Sequence, residues 1–306
     1  MKRILLSTLA ASLLVSGSFA KETAAKGATV KQVNTIAVNN AKEDAKDHKA
    51  KLVQEAVDSL KYAHDALVAL NKKDTKSAKT NLEKALGKLD VVLASEHAPK
   101  LLPVDNVITA VEYVGTSKDA EVAVKLAENL LDDGKVQAAR EILLPLKSEI
   151  DVTVVNLPLA TYPDALKLAA KYMTDGEAKK AKTVLATALS TFVEVTTVAP
   201  IPLLKATDLI VAAAAIASED NKQAKVYLTA AQEQLKLAEV LGYTSKSDVT
   251  YKALDEAIDD IKDHIASKEI KAKFDALKAK LKAFSSKIFS SKEGARQAAQ
   301  KAAEKK

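Results

Sequence analysis

Apolar residues recur at helical spacing along most of the chain, most regularly between Leu157 and Leu189. Intervals of three and four residues place one apolar face on a first helix, formed by Leu166, Ala169, Ala170 and Met173. Thr161 and Asp164 have the spacing of a capping box at its start. Asp175 and Gly176 predict its end, because glycine tolerates the positive φ found there. A second apolar face follows, formed by Ala181, Val184, Leu185, Ala188 and Leu189. The stretch therefore predicts an antiparallel helical hairpin.

The same hairpin pattern occurs four times along the chain. The returning helix of each hairpin has a first inward-facing alanine, at Ala78, Ala139, Ala181 and Ala224. A leucine lies four residues after each alanine, at Leu82, Leu143, Leu185 and Leu228. Three forward helices are predicted after a hydrophobic residue and a proline, at Leu102-Pro103, Leu157-Pro158 and Ile201-Pro202. The alanines are 61, 42 and 43 residues apart. This spacing fits either an irregular set of helical-hairpin repeats or any antiparallel helical protein.

The remaining segments complete the predicted fold. One long helix is expected from Val33 to Leu70 and a short one from Val104 to Val114. The β-branched runs Ile150–Val155 and Phe192–Val198 predict either two short paired strands or extended loops. A further helix is expected to end at Ile265. The fold class is therefore mainly α, with antiparallel helical hairpins in an irregular bundle, a short two-stranded β ribbon and a C-terminal amphipathic helix.

The N-terminus has the pattern of a secretory signal peptide. A basic pair, Lys2-Arg3, precedes an apolar run from Ile4 to Val15 and a small-residue cleavage site at Ser18–Ala20. The apolar run is too short to span a bilayer. Cleavage after Ala20 is expected, with export to the periplasm; an uncleaved anchor is the alternative. Residues 21–32 are then expected to form a disordered leader, and residues 33–266 the helical domain.

Composition narrows the possible chemistry. The chain has 306 residues and no cysteine, so it can form no disulfide and carry out no thiol chemistry. An exported protein without disulfides must rely on its hydrophobic core for stability. Aromatic residues make up 4% of the chain, and tryptophan is absent. After the signal peptide the only arginines are Arg140 and Arg296, which disfavours a nucleic-acid partner.

Residues 267–306 differ from the rest of the chain. They hold twelve basic and four acidic residues, a net charge of +8, whereas the body from Lys21 to Ala266 carries about −4. Apolar residues spaced four and three apart predict an amphipathic basic helix that precedes a disordered tail. This helix is expected either to contact an anionic membrane or a partner, or to pack on the body or self-associate. The candidate contact residues are Phe274, Leu277, Leu281, Phe284, Ile288, Phe289, Lys278 and Lys282.

Catalytic and metal-binding patterns are weak. The four histidines are His48, His64, His97 and His264. Asp260 and His264 lie one helical turn apart, as two metal ligands would, but two ligands do not complete a site. The sequence contains no glycine-rich phosphate loop and no nucleophile motif. We therefore expect no enzymatic activity, no cofactor and no resident metal.

Three features together resemble the YfdX family of bacterial periplasmic, stress-associated proteins. They are the exported N-terminus, the small-residue hairpins with Leu-Pro starts, and the helix end Leu241-Gly242-Tyr243 followed by Tyr251. The resemblance extends over about Val33 to Ile265. It implies a mainly helical homo-oligomer associated with acid, heat or other envelope stress, with a chaperone-like or small-molecule-binding role. It implies no catalytic residue, and the basic segment after residue 266 exceeds the usual length of the family.

Two functions therefore remain expected. The first is a non-enzymatic, stress-protective protein whose grooves between hairpins bind client proteins or apolar small molecules. The second is a peripheral envelope protein that docks to anionic lipid or surface polyanions through its basic C-terminal helix.

Overall fold

The structure of the protein is a computed structural model, which describes residues 27–47, 49–94, 98–245 and 249–283. Helices predominate, which confirms the predicted mainly helical fold. The first helices are α1 (Val30–Asp47), α2 (Gln54–Asn71), α3 (Thr75–Leu93), α4 (Ser117–Asp132) and α5 (Val136–Leu143). The later ones are α6 (Tyr162–Thr174), α7 (Ala178–Ala188), α8 (Ile201–Ile216), α9 (Asn221–Val240), α10 (Val249–Asp263) and α11 (270–283). The predicted signal peptide lies outside the described residues.

A small antiparallel sheet accompanies the helices. Its strands β1 (Leu101–Val111), β2 (Glu149–Pro158) and β3 (Val193–Pro200) follow one another in that order across the sheet. The predicted pairing of the two β-branched runs is confirmed, since β2 and β3 are neighbours. Their side chains also meet: the hydroxyl oxygens of Thr153 and Thr196 are 2.8 Å apart, and the Asn156 amide donates to the Val193 carbonyl at 3.1 Å. β1 adds a third strand.

Strand β1 replaces the short helix predicted over Val104–Val114, and that prediction is wrong. Val104, Val107, Val111 and Val114 lie three and four positions apart, which is the period of a helical face. The segment is rich in β-branched residues, which favour strands, and Pro103 lacks a backbone donor. Pairing with β2 makes the segment a strand instead of a helix, and Leu102 and Val104 are buried on one side of it.

The single helix predicted from Val33 to Leu70 is also wrong, because α1 and α2 are separate helices. Between them the chain runs beside β1. The Ala50 N–H donates to the Asn106 side-chain oxygen at 3.0 Å, and the Asn106 amide donates back to the Ala50 carbonyl at 3.0 Å. The Val53 N–H donates to the Pro103 carbonyl at 2.9 Å. These hydrogen bonds hold the segment between α1 and α2 in an extended conformation, although its composition is compatible with a helix.

The chain forms two compact units, where the sequence predicted one helical domain over residues 33–266. The first unit contains the described residues of 1–48, 108–151 and 197–306, and the second contains residues 49–107 and 152–196. In the second unit, hairpin α2–α3 packs against hairpin α6–α7, with α3 on α6 and α2 on α7. Leu82, Leu166 and Leu185 are buried in the resulting core.

The core of the first unit is built around α8, which packs against α1 and α9 and is apolar on nearly all sides. Helix α9 ends as predicted: Gly242 has a φ of +79°, and the Tyr243 N–H donates to the Ala238 carbonyl at 2.9 Å. The Tyr243 ring is buried, and its hydroxyl accepts from the Ser148 N–H at 2.9 Å. Within the described ranges no helix has both the length and the apolar character needed to cross a membrane.

The hairpin register holds for every alanine and for three of the four leucines. All four alanines are buried, as are Leu82, Leu185 and Leu228. Leu143 is 42% exposed and departs from the pattern. Of the three hydrophobic-proline pairs, Ile201-Pro202 starts a helix, whereas Leu157-Pro158 ends β2 and Leu102-Pro103 lies in β1. Thr161 precedes α6 but makes no capping hydrogen bond through its side chain, so that predicted capping box is wrong.

Candidate functional site

Hairpin α4–α5 of the first unit has well-defined ends. Thr116 and Asp119 form a capping box that sequence inspection missed: the Thr116 hydroxyl accepts from the Asp119 N–H at 3.2 Å, and the Asp119 carboxylate accepts from the Thr116 N–H at 2.9 Å. The Thr116 hydroxyl also donates to the Asp119 carboxylate at 2.7 Å, and this bond, together with that from the Thr116 N–H, holds the pKa of Asp119 below its ordinary value. Gly134 closes the turn with a φ of +73°, as the Asp133-Gly134 pair predicts. The hairpin is thus fixed by local chemistry.

One side of this hairpin is attached to α9. The carboxylate of Glu233 accepts from the Ser117 N–H at 2.8 Å and from the Ser117 hydroxyl at 3.1 Å. Lys236 and Glu121 form an ion pair at 3.0 Å. Ala120 and Ala127 are buried and let the helices approach closely. Polar bonds and small side chains therefore anchor the hairpin through α4.

The rest of the hairpin presents large apolar side chains to solvent. On α4 they are Val122 and Leu126, one helical turn apart and 64% and 47% exposed. On α5 they are Val136 and Leu143, two turns apart and 56% and 42% exposed. We call these four residues the hairpin face. Exposed apolar side chains that adjoin one another are typical of interaction surfaces.

A cleft of about 620 Å³ lies between α9 and α10. Polar and charged residues line it and expose apolar as well as polar atoms to it: Thr229, Gln232, Glu233, Lys236, Tyr251, Lys252 and Asp255. The Gln232 amide nitrogen donates to Asp255 at 2.8 Å and to Asp259 at 3.0 Å, while its oxygen accepts from Lys262 at 2.8 Å. These hydrogen bonds connect α9 to α10 and engage both polar atoms of the Gln232 side chain.

Tyr251 is the most perturbed titratable residue of the cleft. Burial, with smaller contributions from Asp255 and Glu239, raises the pKa of its hydroxyl to about 12. A phenol with that pKa remains protonated at neutral pH and serves as a hydrogen-bond group.

The candidate pair Asp260 and His264 is used in an ion-pair cluster. The Asp260 carboxylate lies 3.0 Å from His264 Nδ1 and 2.6 Å from the ammonium of Lys273 on α11. The hydrogen bond from Lys273 is the main cause of the lowered pKa of Asp260. Asp260 thus forms ion pairs with two side chains, and no group of three or more metal-binding side chains occurs among the described residues. His64 lies on the surface, and His48 and His97 fall outside the described residues.

The predicted contact residues of the C-terminal helix divide into three groups. Phe274, Leu277 and Leu281 are buried in the core of the first unit, which corrects their assignment to an outside contact and matches the alternative that this face packs on the body. Lys278 is half-buried and Lys282 is exposed. A third group lies outside the described residues, so its contact role stays a prediction: Phe284, Ile288 and Phe289.

Comparisons with known proteins bear on the sequence resemblance. The family model described as YfdX protein matches residues 59–198, a shorter range than Val33–Ile265. A solved crystal structure of Salmonella Typhi YfdX is similar at 14% identity, with a TM-score of 0.34, and the match covers 49% of this chain and 93% of that one. No curated protein matches the chain. Over residues 59–198 the chain is therefore similar to the YfdX protein family, in agreement with the resemblance drawn from its sequence.

Proposed function

We propose that this protein is exported to the periplasm, has no enzymatic activity, and protects other proteins under stress by holding their exposed apolar segments on the hairpin face. The observation that carries the proposal is the open apolar surface of α4–α5, with Val122, Leu126, Val136 and Leu143 each more than 40% exposed. The YfdX resemblance, which implies a chaperone-like role in envelope stress, supports the same conclusion.

The size of the hairpin face suits reversible binding. Completing the burial of four half-exposed valine and leucine side chains contributes roughly 3–6 kcal/mol, about half of the value for full burial. Association of two molecules costs roughly 4–15 kcal/mol in lost freedom and ordering. A client that touches only this face is therefore held weakly and released easily. Such a balance is expected of a protein that delays aggregation without folding its clients.

Aggregation of reduced insulin tests this proposal. The reductant that starts the aggregation has no disulfide to attack in this chain, because the chain contains no cysteine. We expect the protein to slow light scattering and Leu143→Glu to weaken that protection several-fold. Leu168→Glu is the matched control, since Leu168 is 41% exposed on α6 of the second unit. Equal protection by both variants, or none from the unaltered protein, would refute the proposal.

The alternative function, docking to an anionic envelope surface, is supported by the net charge of +8 in residues 267–306. Phe284, Ile288 and Phe289 are the apolar contacts that it proposes. Each lysine near an anionic lipid surface contributes on the order of 1 kcal/mol, and salt weakens the attraction. Removal of residues 284–306 tests docking without touching the buried stripe of α11. We expect the protein to co-sediment with anionic but not with neutral vesicles. The truncation should abolish this binding, and Phe284→Asp should weaken it. No binding to anionic vesicles at low salt would exclude the alternative.

A further inference from the structure

Helices α10 and α11 form an antiparallel hairpin in the first unit, and two contacts define its register. The Lys273 ammonium lies 2.6 Å from the Asp260 carboxylate. The Lys280 ammonium donates to the Ala253 carbonyl at 3.4 Å, seven residues further along α11 and seven residues back along α10. Helix α11 therefore folds back along α10 and covers one side of it.

Three large side chains anchor α11 to the core. Phe274, Leu277 and Leu281 lie three and four residues apart on one side of the helix and are buried. They belong to the same buried cluster as Ile258 and Ile261 of α10. The other residues from 271 to 283 are lysine, alanine and a single aspartate, so the opposite side of α11 is polar. The part of α10 and of its core that α11 covers, which we call the α10 surface, thus accepts an amphipathic helix through three apolar side chains.

The two helices carry opposite charges. Helix α10 contains five acidic residues and two lysines, a net charge of −3. Helix α11 contains five lysines and one aspartate, a net charge of +4. The side chains of Lys273 and Asp260 are 26% and 48% exposed, so water and salt screen their attraction. The α10 surface therefore selects a basic helix but holds it by an attraction that salt weakens.

Two further features favour the release of α11. The turn between the helices buries the Ser267 hydroxyl, which has no hydrogen-bond partner among the described residues. A buried hydroxyl without a partner costs free energy, so it disfavours the closed state. Helix α11 also follows every other described element of its unit along the chain, so its departure breaks no connection between them. The helix can therefore swing away from α10 about this turn.

We propose that α11 is a displaceable strap, and that the α10 surface binds amphipathic helices of other proteins whose apolar stripe is flanked by lysines. The helix seated there in the structure defines the chemistry of this partner, and the docking of an amphipathic helix in an apolar groove is a common mode of recognition. The strap competes with the partner at the high effective concentration of a tethered segment, so binding remains weak until α11 is released. The α10 surface shares no residue with the hairpin face, and the proposal does not depend on the proposed function.

A chemical lock on the full chain tests the strap. Ala253→Cys together with Lys280→Cys provides two thiols in a cysteine-free chain, and a bismaleimide then cross-links α10 to α11. The same variant with both thiols capped by N-ethylmaleimide is the matched control, and the probe is a fluorescent peptide with the sequence of residues 267–283. We expect the capped protein to bind the peptide and the cross-linked protein to bind it at least about tenfold more weakly, because a locked strap leaves no free α10 surface. Equal binding by the two forms, or none by the capped form, would overturn the proposal.

Two further measurements separate release of the strap from a general loss of stability. Ser267→Ala removes the buried hydroxyl, so it should favour the closed state and weaken peptide binding several-fold, whereas Leu143→Glu on the hairpin face should leave peptide binding unchanged. Amides of α11 should exchange hydrogen faster in about 1 M than in about 0.1 M salt, because salt screens the attraction between the helices, while amides of α8 should not. Peptide binding unaffected by Ser267→Ala, or exchange in α11 insensitive to salt, would contradict a strap held in this way.

Discussion

Leu185→Ala tests the packing of the second unit. The Leu185 side chain is fully buried among the helices of hairpins α2–α3 and α6–α7. The change removes three carbon atoms, worth about 2.4 kcal/mol of transfer free energy at about 0.8 kcal/mol each. The cavity left behind adds to this loss, because a close-packed core relaxes only partly. The expected decrease in the free energy of unfolding is therefore about 2.5–5 kcal/mol.

Urea denaturation followed by circular dichroism measures this decrease. Leu168→Ala is the control: Leu168 lies on α6 of the same unit but is 41% exposed. It should shift the same transition by less than about 0.5 kcal/mol, the range of surface substitutions. The slope against urea should be equal in the two variants, since neither changes the area exposed on unfolding. A shift below about 0.5 kcal/mol for Leu185→Ala would contradict the hairpin register.

Three further predictions concern a helix cap, an ion pair and export. Thr116→Ala should cost about 1 kcal/mol and speed amide hydrogen exchange in the first turn of α4, because it removes the capping hydroxyl. Lys273 holds the pKa of Asp260 below its ordinary value of 3.8, so this pair stabilises the packing of α11 above that pH, and the stabilisation is lost as the pH falls further. Asp260→Asn should therefore make the free energy of unfolding less sensitive to pH in that acidic range. An unchanged pH profile would contradict the prediction. Protein isolated from the periplasm should have the intact mass of a chain beginning at Lys21, and retention of residues 1–20 would exclude cleavage.

The sequence determined the features that depend on neighbouring residues. Gly176 and Gly242 have positive φ and lie where helices end, as predicted, and Gly134 does the same after α4. The inward alanines were identifiable because their spacing follows the helical period. The β-branched runs of β2 and β3 were recognisable as strands for a similar reason: their preference is local. Such signals need no knowledge of what packs against them.

Tertiary structure decided everything that depends on a distant partner. Val104–Val111 fits the period of a helix, yet pairing with β2 makes it a strand. The amphipathic face at Phe274, Leu277 and Leu281 required an apolar partner, and only the fold shows that the partner is the core of the same unit. Leu143 and Leu185 have identical positions in their hairpins, but one is exposed and the other buried. A repeating pattern tells which side of a helix is apolar; burial is a property of two surfaces, and the second surface is brought there by the fold.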